Sequence, residues 1–173
     1  RRVLFRSLCV SDFMLPRLSN VPQLNNVVSD YLSELQKQHF EGDIASNYAD
    51  RLSLATDNSV YQQLPQAILF PKSIADVVRI TKLANKEKYL HLTFTPRGGG
   101  TGTNGQSINN NIIVDLSRHM TSILELNIEE RWVRVQAGVV KDQLNQFLKS
   151  HGLFFAPELS TSNRATLGGM INT

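Results

Sequence analysis

The sequence is poor in the residues that define several common protein classes. It contains a single cysteine, Cys9, which excludes an internal disulfide and a metal site built from several thiolates. The longest uninterrupted apolar runs, at residues 67–70 and 153–156, have four residues each. A membrane-spanning helix needs about 20 such residues, so no transmembrane segment is predicted in this stretch.

Basic charge is scarce beyond the first residues. The formal net charge is +3 and the sequence pI is about 9.2. Arg1, Arg2 and Arg6 against Asp12 account for +2 of that charge, which leaves only +1 for the rest of the chain. No later cluster of Lys and Arg is present, and we therefore expect no nucleic-acid partner.

Patterns for metal binding and for hydrolysis are lacking as well. The histidines do not recur at a spacing of three or four residues, so no metal site is predicted at His39, His91, His119 or His151. Ser160 and Ser162 have no paired His and Asp in a nucleophile context, which disfavours hydrolysis. What remains is a balance of 41% hydrophobic and 19% charged residues over 173 residues, which is typical of one globular domain.

The two ends of the chain predict a fragment. The chain begins with Arg1 and a plausible start follows at Met14, so residues 1–13 are expected to be a non-native lead. The other end, residues 168–173, stops inside a glycine-containing apolar segment without a terminating signal. We expect a helical N-terminal segment at residues 14–60 and the first part of a larger domain at residues 61–173.

Apolar residues recur at helical spacing between Asn20 and Phe40. They predict an amphipathic helix with Asn20 as its N-cap and Pro22 in its first turn. Such a helix could pack on its own protein or dock a partner. Residues 47–64 are mixed and polar, and we expect them to be irregular with short helical pieces.

A strand–helix–strand alternation follows. Residues 67–70 predict a buried strand, and Ser73 with Asp76 predicts a capped helix. The next strand is predicted at residues 89–95, which implies a right-handed crossover and a parallel pair. The apolar face of the helix is predicted at Ile74, Val77, Val78, Thr81 and Ala84. Further strands are predicted at residues 112–116, 123–127, 132–137 and 153–156, with a helix between Gly138 and Gly152.

One loop holds half of all the glycines. Five of the ten residues at positions 96–105 are glycine, which lets the backbone adopt positive φ and approach a ligand closely. Successive N–H groups of such a loop can converge on a phosphate, and Arg97 could add a positive charge. The candidate phosphate-binding residues are Pro96, Arg97, Gly98, Gly99, Gly100, Thr101, Gly102, Thr103, Asn104 and Gly105.

The pattern around these glycines does not by itself name the ligand. Residues 100–105 match G-x-G-x-x-G, but the dinucleotide fold needs a helix that begins in the loop, and an apolar β run follows here. A Walker loop is excluded because the chain has no Gly-Lys-Ser/Thr. A phosphate loop between two strands is the favoured interpretation, and a flexible loop without a ligand is the alternative.

At these residues the sequence resembles flavoproteins of the vanillyl-alcohol-oxidase type, whose FAD domain is called the PCMH-type domain. In that family a loop like residues 96–102 holds the FAD pyrophosphate, and a segment like residues 157–172 lines the flavin. Residues 56–61 are similar to the opening segment of D-lactate dehydrogenase-like members. The second segment contributes as expected cofactor-binding residues Pro157, Glu158, Leu159, Ser160, Ser162, Thr166, Gly168, Gly169 and Asn172.

The resemblance implies an α+β fold: a PCMH-type FAD-binding domain with a βαβ unit, a mixed sheet and two subdomains, truncated at its C-terminus. Within the family the sequence is most similar to D-2-hydroxyacid dehydrogenases fused to a C-terminal iron–sulfur module. D-2-hydroxyglutarate or D-lactate are the implied substrates. The implied location is cytoplasmic, either free or peripheral to the inner membrane.

Some family members attach FAD covalently through a histidine at the position of Thr101, so the resemblance implies non-covalent FAD here. The family's substrate-binding and catalytic residues, and the iron–sulfur cluster, would lie beyond Thr173, and the electron acceptor is unassigned.

Asp57 is expected to make a hydrogen-bonded turn and Glu158 to lie at a pocket rim. Two other hypotheses stay open: a non-catalytic nucleotide-binding module and an interaction fragment built on the first helix.

Overall fold

A computed structural model describes residues 22–172 of the chain. The predicted lead, Cys9, Met14 and Asn20 lie outside these residues. The described part contains five helices and six strands, with one short 3-10 turn at Glu87–Tyr89. In chain order they are α1 (Asn26–Lys37), β1 (Asp43–Ala45), α2 (Tyr48–Ser53), β2 (Ala67–Phe70), α3 (Ile74–Ala84), β3 (Phe94–Arg97), β4 (Ile112–Asp115), β5 (Ile123–Asn127), β6 (Trp132–Val135), α4 (Lys141–Lys149) and α5 (Leu167–Ile171).

The first four strands form one sheet in the order β1-β2-β4-β3. Strands β2 and β3 are parallel, as the strand–helix–strand pattern predicts, but they are not neighbours, because β4 pairs in parallel with both. β1 pairs antiparallel with β2 and forms one edge of the sheet. The three parallel strands therefore end at the same side, where the loops after Phe70, Arg97 and Asp115 begin.

The prediction of a strand at residues 89–95 is wrong in its first half. Tyr89 ends the 3-10 turn and is buried, its ring 5.1 Å from the ring of Tyr31 on α1 in an edge-to-face contact. Its hydroxyl donates to Glu34, 2.9 Å away. These contacts pull residue 89 toward α1, and the strand begins only at Phe94.

Of two predictions about helix starts, one is corrected and one is confirmed. α1 begins at Asn26, later than predicted, because the side chain of Asn25 accepts a hydrogen bond from the N–H of Val27 and caps the helix; Pro22 precedes it. Ser73 caps α3 as predicted, with its hydroxyl accepting from the Asp76 N–H.

The buried face of α3 differs from the predicted apolar face: Ile74 is 67% exposed, whereas Asp76, Ile80 and Leu83 are buried. Asp76 is buried because its carboxylate accepts from the N–H groups of Glu41 and Lys72, each at 3.0 Å.

The apolar core has two main parts. One lies between α1, α3 and the four-stranded sheet, so α1 packs against strands that come much later in the chain. The other joins the antiparallel β5–β6 hairpin to α4 and α5. Among residues 22–172, none of the helices combines the length and the apolar character needed to cross a bilayer.

Two further predictions are corrected, both for residues near the second part of the core. Residues 153–156 do not form a strand, because the side chain of Asn145 binds both the N–H and the carbonyl of Phe155 and holds this segment against α4. The helix predicted from Gly138 begins at Lys141 and ends at Lys149, with Gly152 beyond its end at φ 68°. Helix α5 is not anticipated by the sequence pattern.

Candidate functional site

A cleft of about 540 Å³ lies where the parallel strands β3 and β4 end. The glycine loop (residues 96–105) forms one wall, and the second loop (residues 157–166) with the start of α5 forms the other. The structure thus brings the two sequence-predicted segments together across about 60 residues of chain.

Most of the predicted cofactor-binding residues line this cleft. They are Pro96, Arg97, Gly98, Gly99, Gly100, Thr101, Gly102, Thr103 and Asn104 from the glycine loop, and Leu159, Thr166, Gly168, Gly169 and Asn172 from the second segment. Five predicted residues do not line it: Gly105, Pro157, Glu158, Ser160 and Ser162.

The backbone amides of the glycine loop are free to bind a ligand. From residue 98 to residue 103, no N–H group donates a hydrogen bond to any acceptor between Pro22 and Asn172. The first amide of the loop that is satisfied is that of Asn104, which donates to the side chain of Gln106 at 3.1 Å. A run of unused N–H groups along a cleft has the electrostatics of an anion-binding nest, which suits a diphosphate.

The glycines of the loop serve different purposes. Gly100 has φ 62°, a conformation that L side chains rarely adopt, so this position requires glycine for its backbone. Gly98 and Gly99 are not at positive φ; instead, a Cβ at either would collide with the second loop, at Thr166 or at the carbonyl of Arg164. Gly98 and Gly99 thus allow the second loop to approach the backbone of the glycine loop, whereas close approach of a ligand stays a prediction.

Arg97 lines the cleft, and three backbone carbonyls hold its guanidinium in place. Its guanidinium donates to the carbonyls of Thr56 at 2.8 Å, Ser107 at 3.3 Å and Leu54 at 3.4 Å. Burial lowers the pKa of Arg97 below its usual value, and the carboxylates of Asp115 and Asp57 partly counter that effect. An arginine stays charged under these conditions, so it adds a fixed positive charge at the base of the loop.

Helix α4 holds the second loop in place. The N–H groups of its first residues, Lys141 and Asp142, donate to the carbonyls of Ala165 at 3.0 Å and Ser162 at 3.2 Å. The hydroxyl of Ser162 donates to the Asp142 carboxylate at 3.0 Å, which explains why Ser162 faces away from the cleft. Glu158 is exposed and forms an ion pair at 3.2 Å with the buried Lys141.

Sequence reasoning missed several residues of the cleft wall. Two of them, Gln106 and Ser107, directly follow the glycine loop, and their polar character was the only available signal. Thr161, Ala165 and Met170 lie inside the predicted second segment but were not among its expected cofactor-binding residues. Leu116 and Ala137 come from elements whose proximity to the cleft depends on the tertiary fold.

The remaining titratable groups show no metal-binding arrangement. Within residues 22–172, no three side chains of the His, Cys, Asp and Glu types come close enough to hold a metal ion. Nε2 of His119 lies 2.7 Å from a carboxylate oxygen of Asp43, but within residues 22–172 no third residue of these types joins the pair.

Comparison with known proteins identifies the family to which this architecture and this cleft belong. Residues 65–173 match the profile of the FAD binding domain. The chain is 83% identical over 160 residues to the D-2-hydroxyglutarate dehydrogenase of Haemophilus influenzae and 64% identical over 160 residues to that of Escherichia coli. Each alignment covers 92% of this chain and 16% of the relative, so the chain spans about one sixth of the length of these proteins.

Solved structures show the same fold. The structure of an alkyldihydroxyacetonephosphate synthase superposes with a TM-score of 0.75 at 20% identity, covering 89% of this chain and 30% of the other. The chain belongs to the FAD binding domain family. The expected α+β PCMH-type fold is confirmed.

Proposed function

We propose that this chain is the N-terminal part of an FAD-dependent dehydrogenase that oxidises D-2-hydroxyglutarate to the 2-oxo acid. The observation that carries the proposal is the run of unsatisfied amides at residues 98–103 along a cleft that the second loop closes. The high identity to D-2-hydroxyglutarate dehydrogenases supports the choice of substrate. The sequence resemblance adds D-lactate as a second candidate substrate.

The chain's own residues have three tasks in this proposal. The N–H groups of residues 98–103 bind the FAD diphosphate, with Arg97 fixed behind them as a positive charge. The second segment, through Leu159, Thr166 and Gly169, forms the opposite wall of the cleft. Bound FAD supplies the redox chemistry by accepting hydride from the carbon that bears the substrate hydroxyl.

Other parts of the proposal concern the rest of the protein. The substrate-binding and catalytic residues, and an iron–sulfur module that passes electrons on, would lie in the part of the relatives' length that this chain does not span. A cytoplasmic location, free or peripheral to the inner membrane, is part of the same proposal. The alternative function is a non-catalytic nucleotide-binding module that uses the same amides.

The test uses the full-length protein purified with its flavin. We expect a flavin absorbance spectrum that D-2-hydroxyglutarate bleaches under anaerobic conditions, and dye reduction that is faster with D-2-hydroxyglutarate than with D-lactate. Bleaching by D-lactate alone would shift the assignment to the second substrate. Bound flavin that neither acid reduces would favour the non-catalytic module.

A pair of valine variants connects the result to the cleft. Gly99→Val places a branched side chain against the Arg164 carbonyl and should remove bound flavin. Ala75→Val is the control, because it adds the same branched side chain at an exposed position of α3 that does not line the cleft. Full flavin content in purified Gly99→Val protein would contradict the assignment of the glycine loop.

A further inference from the structure

Residues 54–61, which we call the bracket, pack against the glycine loop. They precede the part of the chain that matches the FAD binding domain profile, which begins at residue 65. An antiparallel bridge joins Thr56 of the bracket to Gln62, the residue that directly follows it. None of residues 54–61 lines the cleft.

The bracket holds the beginning and the middle of the glycine loop through backbone groups. Arg97 donates to the carbonyls of Leu54 and Thr56, at 3.4 and 2.8 Å. The N–H of Asn58 donates to the carbonyl of Gly100 at 3.1 Å. This bond fixes the carbonyl of Gly100, a residue at positive φ.

The Asp57 carboxylate holds Ser107, which lies two residues after the glycine loop. One carboxylate oxygen accepts from the Ser59 N–H at 2.9 Å, and the other accepts from the Ser107 hydroxyl at 3.0 Å. Ser107 is 8% exposed and lines the cleft, and its carbonyl accepts from Arg97 at 3.3 Å. Two opposite charges, Asp57 and Arg97, therefore fix the same serine at two different atoms.

The ring of Tyr61 completes the contact. A Cβ at Gly105, which has φ 74°, would lie 3.0 Å from the Tyr61 ring, so the ring packs directly on the glycine backbone. The loop is thus supported at Arg97, Gly100, Gly105 and Ser107 by one short segment. This support leaves the N–H groups of residues 98–103 unbonded, because the contacts use carbonyls and side chains of the loop. The bracket itself does not enter the cleft.

We propose that Asp57 is a positioning residue for FAD: by fixing Ser107 and the bracket, it holds the amides of residues 98–103 in the curvature that a diphosphate needs. This inference rests on the proposed function. Asp57 does not contact the cofactor in this arrangement; it acts through Ser107 and the loop backbone. A loop of five glycines has many competing conformations, and a preorganised one binds more tightly because less entropy is lost on binding.

The test measures the FAD dissociation constant of the full-length apoprotein by flavin fluorescence titration. We expect Asp57→Ala to raise it about tenfold or more, Ser107→Ala to raise it less, and the double variant to add little to Asp57→Ala, because both singles break one shared interaction. Asp57→Asn keeps an acceptor oxygen and should recover part of the affinity. Asn58→Ala is the matched control: its side chain is exposed and makes no hydrogen bond within residues 22–172, and its backbone bond to Gly100 remains.

The outcomes separate this inference from the proposed function. The positioning role would be overturned if Asp57→Ala bound FAD with wild-type affinity, or if Asn58→Ala lost as much affinity as Asp57→Ala. The proposed function would still stand in either case, provided that the wild-type protein binds FAD. FAD binding without 2-hydroxyacid oxidation would reject the proposed activity and leave the affinity comparison intact, since it needs no substrate. A wild-type apoprotein that binds no FAD would reject both. If Asp57→Ala fails to fold, Ser107→Ala and Asp57→Asn must still weaken FAD binding, and the turnover of Asp57→Asn at saturating FAD must stay unchanged.

Discussion

The backbone of Gly98 lies directly against the hydroxyl of Thr166, so the first glycine of one loop is in contact with the last residue of the other. A Cβ built on Gly98 would approach the Thr166 Oγ1 to well under 3.0 Å, closer than side chains pack. Thr166 is itself buried, and its neighbour Leu167 donates its N–H to the carbonyl of Val139 at 2.8 Å. Neither side of this contact has room to move away easily.

Gly98→Ala should therefore separate the two walls of the cleft. Introducing one methyl group into a packed contact costs roughly 1–3 kcal/mol. We expect a lower melting temperature and weaker FAD binding in the full-length protein, measured by thermal unfolding and by flavin titration.

The double variant Gly98→Ala/Thr166→Ala is the informative companion. Removing the Oγ1 leaves the Thr166 Cβ at 3.2 Å from the added carbon, so the clash is reduced and the melting temperature should recover in part. Gly169→Ala adds a methyl whose nearest neighbour is 3.5 Å away, and we expect it to fold normally. Equal stability of Gly98→Ala and wild type would contradict the contact.

The mode of FAD attachment is a second prediction. Thr101 lines the cleft at the position that the family resemblance assigns to a covalent histidine, and a threonine hydroxyl is not such a nucleophile. Acid or heat denaturation of the full-length protein should therefore release all flavin into the supernatant. Flavin that stays with the washed precipitate would show that another residue forms a covalent bond.

Glu34 makes the stability of the α1 contact dependent on pH. The hydrogen bond from Lys86, with those from Lys88 and Tyr89, lowers the pKa of Glu34 from 4.5 to about 2. A group whose pKa is depressed on folding stabilises the folded state above its unfolded pKa and loses that contribution as the pH falls through its folded pKa. The contribution of Glu34 should thus be complete above about pH 5 and disappear between about pH 4.5 and 2.

The measurement compares melting temperatures of wild type and Glu34→Gln across this range. The variant should be less stable near neutral pH, and the difference should shrink as the pH approaches about 2, where the wild-type carboxylate is also protonated. Glu41→Gln serves as control, because the Glu41 side chain is exposed and makes no ion pair within the described residues. A constant difference between wild type and Glu34→Gln over this range would contradict the pKa shift.

Local sequence patterns were sufficient for much of the secondary structure. The apolar runs at residues 67–70 and 112–114 predicted β2 and β4, since a short continuous apolar run suits a strand that is buried on both faces. The similar run at residues 153–156 predicted a strand as well, but that prediction is wrong. Ser73 marked the start of α3 through a hydrogen bond within its own first turn. Likewise, the density of glycine at residues 98–105 predicted the loop that lines the cleft, because glycine lets a backbone approach a ligand closely.

Other features depended on residues distant in sequence. Tyr89 left the predicted strand because Tyr31 and Glu34 bind it, and β4 entered between β2 and β3, which sequence order does not encode. The burial of Asp76 similarly required the amide of Glu41 from another segment.

The sequence by itself determined that a glycine-rich loop lies between two strands, and it predicted a phosphate-bearing ligand there, because glycine content and strand spacing are local. Only the tertiary structure decided what each glycine does. Gly98 and Gly99 face Thr166 and Arg164, and the curvature of the loop depends on the bracket around Asp57. Residues so far apart in the chain meet only when the sheet and α4 have been assembled, so no periodicity or spacing could reveal their contacts.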